Sequence, residues 1–247
     1  MTTLASLARQ LENTSLGRDQ RAALRCQAAR ELEEVGEYEG AREALGGLWR
    51  GLGLRPPEAD ELNPETAAEV LLRVGTLTGW LGHLAQAEGA QESAKNLITE
   101  AARLFESHSY AKKVCEAQTE LAYCYWREGA FDEARVVLRG VLEQLRADCD
   151  LRAKAVLRSA IVERADNRYH DALRLLSEGA PLFERINNHT IRGGYHNEVG
   201  LVYKNLAASE KREDYLDRAF VEYAAASFHF EQAGHDFYRA NVENNLG

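Results

Sequence analysis

The phrase Gly36-Glu37-Tyr38-Glu39-Gly40-Ala41 returns as Gly129-Ala130-Phe131-Asp132-Glu133-Ala134. It comes back with drift as Asn167-Arg168-Tyr169-His170-Asp171-Ala172 and, more faintly, as Gly89-Ala90-Gln91-Glu92-Ser93-Ala94. Each copy separates two helix-like stretches. This recurring hinge constrains the fold more than any other feature, because one helical hairpin cannot bury its own apolar face and must stack on copies of itself. Stacked hairpins leave a curved array with a long groove, and a groove of that kind holds another molecule. Ala41, Ala94, Ala134, Ala172 and Ala219 mark the phrase at spacings of 53, 40, 38 and 47 residues. The middle spacings approach one regular unit. The first carries a proline-bearing insertion and the last a charged one.

The rest of the text between the hinges is helical. Ala, Leu, Glu and Arg dominate, and runs alternating in Val, Ile and Thr are absent. The 4 prolines are Pro56, Pro57, Pro64 and Pro181, three of them in one place. The pattern predicts an N-terminal capping helix within residues 1–20 and helix pairs over 21–52, 65–108, 111–148, 151–186 and 190–234. A linker occupies 53–64, and 237–247 opens a sixth pair. Asp19 is expected to cap the helix Arg21 to Val35, Gly36 to close it, and Tyr38 to Leu52 to form its partner. Asn63-Pro64-Glu65 combines a capping side chain, a proline in the first turn and an acid at the positive helix end.

These phrases resemble the tetratricopeptide repeat (TPR), in which helix A, a tight turn and helix B meet at small residues with an aromatic near the turn. The third copy matches best, with Leu121, Ala122 and Tyr125, then Gly129, Phe131, Ala134, Leu138 and Val141. The fifth offers Val199, Gly200 and Tyr203, then Ala219, Tyr223 and Ala226; the first offers Ala28, Ala29 and Leu32, then Gly36, Tyr38, Ala41, Leu45 and Leu48. Close approach explains the small residues, since anything larger than Ala would push the crossing axes apart. The middle units exceed the family's usual 34 residues. Copy two has Gln91 in place of the aromatic, and copy four has Ser159 where the family prefers Leu. The resemblance spans about residues 20 to 247 and implies an all-α, right-handed superhelical α-solenoid of antiparallel helix pairs. Asn244-Asn245-Leu246-Gly247 resembles the middle of a helix A with no helix B after it. The expectation is therefore the N-terminal part of a longer protein, with a C-terminal capping helix as the alternative.

In TPR arrays the concave surface is lined by helix A. The expected partner-binding residues are Trp80, His83, Glu120, Tyr123, Trp126, Arg127, Lys154, Arg158, Arg164, Asn197, Leu201, Lys204 and Asn241. Trp80, Tyr123 and Trp126 would serve as aromatic anchors, and the basic residues would favour an acidic or carboxylate-ended peptide with an apolar side chain. Against this stands packing between hairpins for the tryptophans and pairing with nearby acids for the basic groups. The family's carboxylate clamp does not carry over, because the Lys and Asn residues miss its positions.

Recognised chemistry is missing from the sequence. The 7 histidines form no H-E-x-x-H, although His189 and His196, seven apart, can share a helix face. Phosphate-binding glycine motifs and a G-x-S-x-G elbow do not occur. Cys26, Cys115, Cys124 and Cys149 form no C-x-x-C pair and read as reduced, buried side chains. The net charge of -9 argues against nonspecific nucleic-acid binding. A secretory signal and a membrane-spanning run of ~20 apolar residues are both lacking. The reading is a cytoplasmic, non-catalytic protein- or peptide-binding TPR scaffold with no cofactor and no metal. The alternative is the ligand- or peptide-sensing region of a larger bacterial regulator. The partner's identity and the oligomeric state stay open.

Overall fold

The computed structural model describes residues 3–13, 15–53 and 57–246. The chain divides into two compact units, residues 1–129 and 130–247. The first holds α1 (Thr3–Leu11), α2 (Arg18–Glu34), α3 (Tyr38–Leu45), α4 (Pro64–Leu84), α5 (Ala90–Ser107) and α6 (Ala111–Arg127), with a 3-10 turn at Gly46–Leu48. The second holds α7 (Phe131–Gln144), α8 (Asp150–Ala165), α9 (Tyr169–Arg185), α10 (His189–Glu210), α11 (Asp214–Gln232) and α12 (Asp236–Leu246). No strand occurs among the described residues.

Local chemistry sets the helix ends. Asn63 accepts from the Thr66 amide and Pro64 takes the first helical position, so α4 starts where the sequence places it. Gly36 closes α2 with a φ of +78°. Two expectations fail here. Asp19 lies inside the first turn of α2, where Gly17 holds the cap position, and the Asp19 carboxylate instead accepts from the amide of Asn63. The helix after Tyr38 ends at Leu45 rather than Leu52, because Gly46 turns to a φ of +55° and Arg25 binds the freed carbonyl of Ala44. Pro56 lies outside the described residues.

Within unit 1, α2 packs on α3, α4 on α5, and α4 also touches its neighbours α2 and α6. The core runs from Leu7 and Cys26 through Leu45 to Val70, Val74 and Leu77, and continues through Leu72, Ile98 and Phe105. The α4–α5 crossing is made of small residues on both sides. A methyl group on Gly82 would stand 2.2 Å from Cβ of Ala90, and one on Gly75 would stand 2.7 Å from Ile98. Gln91, which replaces the hinge aromatic here, donates from its side chain to the carbonyl of Gly79.

Unit 2 repeats the scheme. α8 packs on α9, α10 on α11, and α12 on α11. Gly193 lies under the ring of Phe230 and Gly200 under that of Tyr223. Ser159 bonds back to the carbonyl of Ala155 and stays half-buried in the position where the repeat family prefers leucine. The alanines of the repeated phrase are all buried: Ala41, Ala94, Ala134 and Ala172 are 0% exposed and Ala219 is 2% exposed. A residue this small and this enclosed marks a helix crossing, as the repeat requires.

Candidate functional site

The first members of the hairpins in unit 1 are α2, α4 and α6. They present two adjoining kinds of chemistry. Near the ends of α4 and α6 lies an aromatic file. Tyr38, at the start of α3, stacks on Trp80 with centroids 4.6 Å apart. Trp80 lies 5.6 Å from Tyr123, which stacks on Trp126 at 4.7 Å. The Arg127 guanidinium sits over both Trp80 and Tyr123, at 4.2 and 4.4 Å. All five side chains are half-buried. Stacking and cation–π attraction together hold the file in place, so each ring keeps one region in solvent without being loose. His83 lies one turn beyond Trp80 and is exposed.

Deeper in the same helices sits Arg73, 3% exposed. It donates to Glu33 of α2 and to Glu116 of α6, each at 2.7 Å, and lies 3.5 Å from Glu69. Lys113 joins Glu69 to Glu116 at 2.7 and 3.3 Å. Burial opposes the charge on Arg73, but Glu33, Glu116 and Glu69 overcome it and hold the guanidinium well above its ordinary pKa. Glu120, expected from the sequence to be an exposed groove residue, is 5% exposed. Its helix turns it toward this network, where Arg73 feels its charge.

In unit 2 the corresponding helices are α8, α10 and α12. Arg158 is 6% exposed, a correction to its expected exposure, while Lys154 is half-buried. Arg164 donates to Glu198, which is itself 3% exposed. Burial raises the Glu198 carboxyl above its usual range against the pull of Arg164. Beside this pair, Tyr223 is 1% exposed, and among the described residues neither its hydroxyl nor Oδ1 of half-buried Asn197 has a hydrogen-bond partner. Leu201 packs partly buried against the cluster of Tyr223, Phe230 and Val242. Lys204 is exposed and 3.4 Å from Asn245, whose amide donates to the carbonyl of exposed Asn241.

His189 and His196 do share a face, and both meet a third histidine the sequence did not single out. Nδ1 of His189 lies 2.9 Å from Nδ1 of His229, and the ring of His196 stacks on His229 at 5.4 Å. His196 also binds Glu222 at 2.7 Å. Burial, then Arg192 and the other two histidines, push His229 down to about 4. No group of three or more His, Cys, Asp or Glu among the described residues is placed to hold a metal ion. Cys26, Cys115 and Cys124 are buried thiols; Cys149 is half-buried. No described helix is long and apolar enough to cross a membrane.

Helix pairs repeated on alanine-lined crossings, with a left-handed residue at the hinge, define the chain as a helical-repeat protein of the TPR-like α-solenoid class. Known structures agree. The Bacillus thuringiensis PlcR protein, solved in complex with the peptide PapR7 and DNA, superimposes with a TM-score of 0.68 at 15% identity, covering 95% of this chain and 78% of that one. A Podosopora anserina kinesin light chain with nearly identical TPR-like repeats superimposes at 0.53 and 17% identity, covering 85% of this chain and 98% of that one. A variant of those repeats gives 0.54 at 17% identity over 85% and 97%. No protein-family model matches the sequence, and no curated protein matches it. The fold is therefore TPR-like.

Proposed function

We propose that this chain is a non-catalytic peptide-binding module. The observation that carries the reading is the aromatic file Tyr38–Trp80–Tyr123–Trp126 with Arg127 laid across it. Apart from Tyr38 on α3, it sits on α4 and α6, first members of hairpins, the surface that the resemblance assigns to the groove. Rigid, half-exposed aromatics beside Arg are the residue types that carry binding energy at interfaces. The file favours a peptide with an apolar or aromatic anchor residue.

The test is an array of short extended peptides probed with the whole chain, repeated with Trp126→Ala. Peptides that bind the unaltered chain should lose about 2 kcal/mol of affinity with the variant, while Val136→Ser leaves them unchanged. Array signals that Trp126→Ala does not alter would refute the assignment.

A second reading is a sensory region of a larger cytoplasmic regulator. It draws support from the likeness to PlcR, a protein solved with both a peptide and DNA. Hydrogen exchange on peptide binding separates the two: a sensor should change protection in both units, a scaffold only around the contacted helices.

A further inference from the structure

α11 carries a second surface that the peptide reading neither needs nor tests. One side of this helix holds Tyr215, Ala219, Tyr223, Ala226 and Phe230, all buried against unit 2. The opposite side is also apolar. Leu216, Phe220, Ala224 and Phe228 follow one another at every fourth position, with Val221 alongside. Their exposures are 38% for Leu216, 46% for Phe220, 68% for Val221 and 54% for Phe228, so more than three turns of helix show solvent an unbroken apolar stripe. A helix apolar on two faces has a partner for each.

The charges around the stripe indicate what that partner is. Glu213 at the N-cap of α11, and Asp217 and Glu231 within it, fall on the same side as the stripe and are exposed. Glu231 has one distant basic neighbour, Arg239, at 3.9 Å. Arg218 turns away, over the rings of Tyr203 and Tyr215. The charged residues that α11 and its N-cap place on the stripe's side are thus all carboxylates. An antiparallel second copy would seat Phe220 over the small Ala224, yet it would bring Glu213 of one copy against Glu231 of the other, and the acids would converge. An anionic membrane surface is repelled for the same reason.

We propose that α11 is a docking face for a cationic amphipathic helix of a partner protein. The partner's apolar side covers Leu216, Phe220, Ala224 and Phe228, and its Lys or Arg residues flank them to meet Glu213, Asp217 and Glu231. This is helix-on-helix recognition, in which apolar anchors supply affinity and charge supplies selection.

The probe is a labelled amphipathic helix built from Leu and Lys, titrated into the full chain by fluorescence anisotropy. A matched peptide with Glu replacing Lys serves as the second arm. The Lys peptide should bind saturably, one to one, and the Glu peptide should not. Phe220→Asp with Phe228→Asp should weaken the Lys peptide at least about tenfold. Asp217→Lys should weaken it several-fold at low salt and less at high salt. Glu58→Lys, equal in charge change but off this face, should leave it unaltered. Equal loss with Glu58→Lys would mean bulk charge attraction and overturn the proposal. So would unchanged binding in the double Phe variant, or self-association of the chain that Phe220→Asp abolishes.

Discussion

Two glycines in unit 2 make opposite predictions from one substitution. Gly140 in α7 and Gly200 in α10 both sit in helix interiors. Alanine in place of a helical glycine gains about 1 kcal/mol by restricting the unfolded backbone and improving helix propensity. At Gly140 nothing lies within 4 Å of where the new methyl would stand, so Gly140→Ala should keep most of that gain. At Gly200 the methyl would stand 2.6 and 2.7 Å from two ring carbons of Tyr223. That ring is 1% exposed, so it cannot swing out into solvent without giving up its buried contacts. Overpacking of this order costs about 1–3 kcal/mol, which outweighs the propensity gain. Gly200→Ala should therefore destabilise by about 1 kcal/mol net, the sign being opposite to Gly140→Ala. Urea denaturation followed by far-ultraviolet circular dichroism measures both in the same unit. In a Tyr223→Leu background, Gly200→Ala should cost less than it does in the unaltered chain. Equal stabilisation by the two alanines would refute the close approach of α10 and α11.

Two further substitutions probe buried charge. Arg73→Met removes the buried guanidinium that Glu33, Glu69 and Glu116 share and should cost about 3–5 kcal/mol in chemical denaturation; a loss under about 1 kcal/mol would place the guanidinium in water. His229 and His235 are both held down to about 4, from 6.5, chiefly by burial. The unfolded chain binds those protons first, so stability should be full above pH 6.5 and fall as the pH drops toward 4. Each histidine contributes up to about 3 kcal/mol of that slope. His229→Gln should flatten it, and an unchanged slope would contradict the burial of the imidazole.

Much of the architecture was legible because it repeats. The alanines at the crossings and the glycine at Gly36 follow from close approach and a left-handed turn, and both can be read from single residues. The end of α3 was not legible, since Gly46 lies inside an apolar, helix-favouring run and only its φ ends the helix. The Arg73 network was missed for a different reason. Its partners lie 40 and 43 residues away in sequence, on neighbouring helices of the same kind. One signal was present: Arg73 stands alone among Leu71, Leu72 and Val74, and a lone charge inside an apolar helix needs a partner. Glu120 and Arg158 look like groove residues by periodicity, yet burial takes them out of solvent, because spacing fixes an azimuth and not a depth. The stripe on α11 escaped because periodicity shows that a face is apolar without showing whether anything covers it.

The placement of Arg73 has a consequence for how unit 1 breathes. One guanidinium is the shared counter-ion for carboxylates on α2, α4 and α6. If α2 or α6 frays, the buried guanidinium loses one of its carboxylates, and if α4 frays the acids lose the cation they share; either way a charge is left under-compensated and the next helix loses part of its hold. Three rods keyed to a single ion behave as one lock. Their amides should exchange together, as one block rather than rod by rod, with α1 at the edge peeling away first.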